Sequence, residues 1–178
     1  MATLYSNADA SENNFVLVET QDGGGAAFNP TAVTIPSGYK DIVISGNVLG
    51  TGVAGMFLRL YFNGDTTDTN YRTQYFASLG TTRTAAEWSA PYIFYPRSAT
   101  GEGTESTGGF SATIPDYSNA VNRAVASSVG ITWKEVDSLG IGMQWDVIWR
   151  DSTAAITSII FDADSTLAAG SSFTVWVR

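Results

Sequence analysis

The chain contains neither cysteine nor histidine in its 178 residues. Those two absences exclude disulfides, thiolate nucleophiles, zinc sites of the Cys/His type and any Ser-His-Asp triad supplied by this chain alone. Charge is scarce as well. Only 15% of residues are Asp, Glu, Lys or Arg, against about 25% in an average protein. The nine Lys and Arg are scattered singly and the formal net charge is −8. No basic patch is available to neutralise phosphates or to dock on an anionic membrane, so neither nucleic acid nor membrane is an expected partner. No apolar run approaches the roughly 20 residues of a membrane helix, and residues 1–14 lack the charged and apolar regions of a signal peptide. Synthesis in the cytoplasm without export is the expectation.

With so few charges, much of the exterior must be Ser, Thr, Gly, Asn and aromatic edges. Such surfaces suit contacts, because neighbouring copies repel each other little. A hydrophobic fraction of 44% is ordinary for a globular protein, and the length suits one domain over residues 1–178. Residues 1–13 read as a polar N-terminal arm.

Strand patterns dominate the rest. Apolar alternation and Gly/Pro/Asx punctuation predict strands over 14–20, 32–35, 41–48, 56–62, 71–79, 90–95, 109–114, 124–129, 141–150, 155–161 and 172–178. The clearest is 141–150, where Met143, Trp145, Val147 and Trp149 alternate with Gln144, Asp146, Ile148 and Arg150. Trp145 and Trp149 are therefore expected in the core. No segment sustains a 3.6-residue apolar period; a short helical turn near 85–89 is the best exception. The low-complexity stretch 98–109 reads as a surface loop. About ten short strands without a helical layer predict an all-β fold, a sandwich or barrel, with a jelly-roll-like antiparallel β-sandwich preferred.

Several groups of residues invite a chemical reading. Asn63, Asp65, Asp68 and Asn70 gather oxygens in the turn Phe62-Asn63-Gly64-Asp65-Thr66-Thr67-Asp68-Thr69-Asn70-Tyr71. A hard cation takes such ligands, but Asx residues are also what turns use to cap backbone groups. Carboxylate pairs are the acid–base chemistry left to a chain without His or Cys, and Glu87, Asp116, Glu135, Asp137, Asp146 and Asp151 are candidates. None stands in a pattern that separates it from a turn or a solvated face, so no enzyme activity and no cofactor is expected.

The aromatics point elsewhere. In the last strand Phe173, Val175 and Val177 face one way, leaving Thr174, Trp176 and Arg178 on the other. A Trp beside an Arg on that face is either covered by a second sheet or part of a subunit contact, since Trp, Tyr and Arg are enriched at interface hot spots. Exposed Trp and Tyr can equally stack on sugar rings. Arg59 and Tyr61, opposite Met56, Leu58, Leu60 and Phe62 in strand 56–62, join Thr174, Trp176 and Arg178 as interface candidates.

Five phrases occur in order: Ile35-Pro36-Ser37-Gly38-Tyr39-Lys40-Asp41, the Phe62–Tyr71 turn, Ile114-Pro115-Asp116-Tyr117-Ser118-Asn119, Ala155-Ile156-Thr157-Ser158-Ile159 and Leu167-Ala168-Ala169-Gly170-Ser171-Ser172-Phe173. Over residues 30–178 the ordered set resembles small virion structural proteins of tailed bacteriophages. The last strand departs from the usual pattern, with Trp176 where Tyr is common and no glycine after it. The resemblance brings no catalytic residues. It implies a jelly-roll-like sandwich at the virion surface, most simply a capsid decoration or cement protein that bridges major capsid subunits. The three-fold seats of a capsid suggest a homotrimer, and residues 1–13 would grip capsid or neighbour. The competing reading is a tail- or head-fibre module that recognises host surface glycan through exposed Tyr and Trp.

Overall fold

The structure, a computed structural model, describes residues 15–49, 57–79, 81–94, 107–118, 125–134, 139–150, 154–163 and 166–178. Twelve strands occupy them: β1 (Val16–Asp22), β2 (Ala32–Thr34), β3 (Ile42–Leu49), β4 (Leu58–Phe62), β5 (Tyr71–Leu79), β6 (Thr82–Trp88), β7 (Tyr92–Phe94), β8 (Thr107–Ile114), β9 (Val125–Lys134), β10 (Leu139–Trp149), β11 (Ser158–Ala163) and β12 (Ser172–Val177). They form an eight-stranded sheet, β1-β12-β3-β8-β9-β10-β5-β6, and a four-stranded sheet, β2-β11-β4-β7. Every pairing is antiparallel. The all-β sandwich expected from alternation is therefore observed. Its eight-and-four division differs from the eight strands of a simple double-sheet jelly roll, and the jelly-roll wiring is not established by this strand order.

The core lies between the sheets. From the large sheet come Ile42, Ile44, Phe110, Ala112, Trp145, Val147, Trp149, Phe173 and Val175; from the small sheet come Val33, Leu58, Leu60, Phe62, Ile93, Ile159 and Phe161. Period-2 alternation produces this division, because successive side chains of a strand point to opposite faces. Trp145 and Trp149 are buried, as the alternation of 141–150 requires. Phe173 sits at the centre of one cluster. It stacks on Phe161 with centroids 4.8 Å apart and meets Phe28 and Phe110 at 6.3 and 6.1 Å. Gly46 makes room for it: a Cβ there would lie 2.5 Å from the Phe110 ring and 2.8 Å from that of Phe173.

Two expectations are corrected. Residues 85–89 form no helical turn, because Ala85, Ala86, Glu87 and Trp88 belong to β6, paired in unbroken register with β5. The ladder to β5 outweighs the helix propensity of Ala and Glu, which is a weak prior that tertiary context overrides. In the stretch 98–109, Thr107, Gly108 and Gly109 are strand residues opposite Leu49, Val48 and Asn47 of β3. Residues 98–106 lie outside the described residues, as does the arm 1–13.

Four of the five phrases meet at one end of the sandwich. The Ile35 N–H donates to the Thr157 carbonyl, the Tyr117 N–H to that of Lys40, and the Ile156 N–H to that of Tyr117. The Tyr117 hydroxyl donates to the Pro36 carbonyl. The Asn63 side chain donates to the Ala155 carbonyl at 2.8 Å and accepts from the Thr157 and Ser158 N–H groups at 2.7 and 3.2 Å. These phrases thus satisfy one another's backbone groups where the strands end.

Candidate interaction surface

The Phe62–Tyr71 turn is built around one carboxylate. Asn63 and Gly64 both have positive φ, 51° and 74°, and the Asp65 N–H returns to the Phe62 carbonyl at 2.9 Å. That is the type I′ pattern of an Asn-Gly turn. No hairpin follows, because β4 is already flanked by β11 and β7 and the chain crosses into the other sheet as β5. Asp65 accepts from Asn70 Nδ2 at 3.0 and 3.1 Å, from Trp149 Nε1 at 2.8 Å and from the Thr67 N–H at 3.2 Å. The Tyr71 hydroxyl donates to the Asp65 carbonyl at 2.7 Å while accepting from the Phe62 N–H at 3.0 Å. Asp68 accepts from the Tyr61 hydroxyl at 2.7 Å. The polar groups suggested for a cation are thus directed at different protein partners, and N–H donors surround the Asp65 carboxylate. Among the described residues no group of three or more His, Cys, Asp or Glu is placed to hold a metal.

Ionisation follows from these contacts. Burial acts to raise the Asp65 pKa, but the hydrogen bonds from Asn70, Trp149 and Thr67 outweigh it and hold the carboxyl below its ordinary value. Its contribution to stability is present above the usual carboxylate range and is lost as pH falls through the lowered folded value. For Tyr61, burial and then the hydrogen bond to Asp68 push the phenol well up. For Tyr71, burial does the same despite the opposing Phe62 N–H. Between the ordinary phenol value near 10 and these raised values, the folded state holds protons that the unfolded state has lost. Stability is therefore expected to fall as pH rises above about 10. In a spectrophotometric titration Tyr61 and Tyr71 should ionise only with unfolding, and Tyr117, which burial also raises, should ionise after the ordinary phenols among the eight tyrosines. Eight phenols titrating together below the unfolding transition would contradict this.

The carboxylate candidates occupy separate, ordinary positions. Asp146 accepts from Ser127 Oγ at 2.6 Å and Gln144 Nε2 at 3.1 Å. Glu87 pairs with Arg72 at 2.9 Å, and Asp116 occupies a positive-φ turn position with φ 51°. Glu135, Asp137 and Asp151 lie outside the described residues. Asp146 and Glu87 share an open sheet face with Gln74 between them.

That face, the outer side of the large sheet, is the principal exposed feature. One cross-strand row runs Thr20, Thr174, Ser45, Ser111, Val129, Gln144, Phe76, Ala85. It crosses all eight strands, roughly 34 Å at the usual strand spacing, without a single charged side chain. The row beside it runs Asp22, Ser172, Asn47, Gly109, Ile131, Gly142, Ser78, Arg83, and its charges stand only at the two edge strands. Apolar side chains stand out from this floor: Phe76 is 50% exposed, Val129 57% and Ile131 67%. Gly142 contributes no side chain between Ile131 and Ser78. A shallow groove of about 490 Å³ follows there, lined by Phe76, Arg83, Ala85, Val129, Gly142 and Gln144 among others.

Strand β9 explains why apolar residues face outward. Its inward positions are Ala126, Ser128 and Gly130, all buried and small, and the Ser128 hydroxyl donates to the Ile93 carbonyl of the facing sheet. Strand β7 lies against this inward side, and the apolar bulk of β9, Val129 and Ile131, stands on the other. Sequence reasoning missed Phe76, Val129 and Ile131. The available signal was the alternation of small residues with β-branched ones at 128–131.

The five interface candidates divide between the sheets. Thr174 and Trp176 lie on the outer face of the large sheet, where Trp176 stands between Leu17 of β1 and Val43 of β3 and is half-buried. Arg178 follows at the corner; its Nε contacts Asp41 at 3.0 Å and its guanidinium lies 5.4 Å from the centre of the Phe15 ring. Arg59 and Tyr61 belong to β4 in the small sheet. Arg59 pairs with Asp162 at 2.9 Å and lies over Tyr92 at 5.6 Å. Tyr61 is buried against Tyr71, with ring centres 5.7 Å apart. Thr174 and Trp176 thus share a surface with Phe76, Val129 and Ile131, and Arg59 and Tyr61 do not. Among the described residues no helix is long and apolar enough to cross a membrane. Compared with known proteins, the chain matches no family model, no curated protein and no solved structure.

Proposed function

We propose that this is a structural protein of a bacteriophage virion, a capsid decoration or cement protein that acts by burying the outer face of its large sheet against major capsid subunits. The observation that carries the reading is the uncharged row from Thr20 to Ala85 across eight strands of a chain with net charge −8. Removing charges from water is costly unless they are paired. A row free of them across the whole sheet, carrying Phe76 and Val129 with Ile131 beside it, is suited to contact with protein. The ordered phrases that resemble tailed-phage virion proteins supply the setting. Trimeric seats are expected from the symmetry of a shell. The mechanism is mechanical: a rigid sandwich in many copies adds buried interface across capsomer joints.

The test uses shells depleted of the protein and then incubated with purified chain. Wild type should sediment with the shells and raise their thermal stability. Ile131→Asp and Trp176→Ala should each remain folded by circular dichroism and lose binding by at least tenfold. Full binding by both variants would remove this face from the contact, and unfolding of Trp176→Ala would make Trp176 an ordinary packing residue. Retention by immobilised host polysaccharide, without shell binding, would favour the fibre reading.

A further inference from the structure

Strand β6 is the one long, regular and unguarded edge among the described strands. The opposite edge of the large sheet, β1, is bulged between Leu17 and Glu19. The edges of the small sheet are three-residue strands, β2 and β7, and the pairing of β7 is shifted between Leu58 and Arg59. Bulges, brevity, Lys and Pro are the usual protections of an edge. By contrast, β6 runs seven residues in unbroken register with β5. It contains neither Lys nor Pro, and Thr82, Arg83, Thr84, Ala85 and Glu87 are exposed.

We infer that β6 pairs antiparallel with β6 of a second copy, about a two-fold axis at Ala85. A two-fold perpendicular to the sheet keeps outer faces outward, so directly opposed residues must share a face, and faces alternate along a strand. The axis therefore passes through a residue position and not between two. Centred on Ala85, Arg83 stands opposite the partner copy's residue 87 and Glu87 opposite its residue 83, forming two symmetric ion pairs on the outer face. Thr84 meets position 86, small against small, and Trp88 meets position 82. Centring on Thr84 or Ala86 places neither Arg83 against a carboxylate nor Glu87 against a cation. Opposite charges directly across an antiparallel pair stabilise it, whereas like charges destabilise it. Arg83 has no carboxylate partner among the described residues, and Glu87, paired with Arg72 at 2.9 Å, retains a second oxygen. Joined in this way, two large sheets become one. The two Phe76 side chains then lie on the same outer face, three strand spacings or roughly 14 Å apart. The contact needs no shell and therefore stands or falls separately from capsid binding.

The chain's lack of cysteine makes the test direct. Ala85→Cys introduces a single thiol on the axis, where opposed Cα atoms about 4.5–5.5 Å apart are within disulfide range. Under mild oxidation it should form a covalent dimer, while Ser111→Cys, exposed on β8 and four strands away, should not. In sedimentation equilibrium of the full chain from 1 μM to 1 mM, wild type should reach a dimer. Arg83→Glu and Glu87→Arg should each weaken it by roughly tenfold or more, and an equimolar mixture of the two should restore it. A monomer throughout, an oligomer that neither reversal weakens, or equal cross-linking of both cysteine variants would overturn the pairing.

Discussion

Asp65→Ala is expected to lower stability by about 3 kcal/mol, because it leaves charged-acceptor hydrogen bonds unmade around a buried indole. Trp149 is only 4% exposed, so without Asp65 its Nε1–H has lost a 2.8 Å partner with little access to water. Asn70 Nδ2 loses both of its contacts to the same carboxylate. The Tyr71 hydroxyl still bonds the residue 65 carbonyl, so the loss is confined to the side-chain acceptor. In a chain of this length the melting temperature should fall by roughly 10 °C. Asp65→Asn keeps an acceptor for Trp149 and should cost about half as much. Its stability should also depend less on pH below about 4, because the carboxyl whose folded pKa is lowered has been removed. Chemical denaturation followed by tryptophan emission measures both. A loss under about 1 kcal/mol for the alanine variant would show that the turn holds itself without this hub.

Phe173→Ala is expected to cost about 4 kcal/mol, the range for deleting a large buried ring when its surroundings collapse only in part. Phe173 is fully buried and is the ring that Phe28, Phe110 and Phe161 all contact. Three residues along the same strand and on the other face, Trp176→Ala should change stability by only about 1 kcal/mol and act on assembly instead. The contrast isolates the two faces of β12. Equal destabilisation by both substitutions would mean that the outer face of the large sheet is packed like a core.

The sandwich was legible because alternation is a property of each strand alone. Met143, Trp145, Val147 and Trp149 announce a buried face whatever their partners are, and the Phe173/Val175/Val177 division from Thr174 and Trp176 follows in the same way. Strand β6 was not legible: Thr82-Arg83-Thr84-Ala85-Ala86-Glu87-Trp88 carries no apolar alternation, and only the ladder to β5 makes it extended. The face bearing Val129 and Ile131 was hidden for a different reason. Apolar residues are read as inward, and β9 inverts that rule, with small Ala126, Ser128 and Gly130 inward and Val129 and Ile131 outward. The Phe62–Tyr71 turn was visible as a turn, including its Asn-Gly bend. The role of Asp65 within it was not, since its indole partner lies 84 residues away. Of the interface candidates, Thr174 and Trp176 could be placed on an outer face from alternation. The burial of Tyr61 depends on Asp68 and Tyr71, which fold back over β4 after the turn.

We propose a shell component that acts through the outer face of its large sheet. Cryo-electron microscopy of the intact virion tests it most directly. Hundreds of copies are expected on the head, with Val129, Ile131 and Trp176 turned toward major capsid subunits. A few copies at the tail, with that face open to solvent, would contradict it.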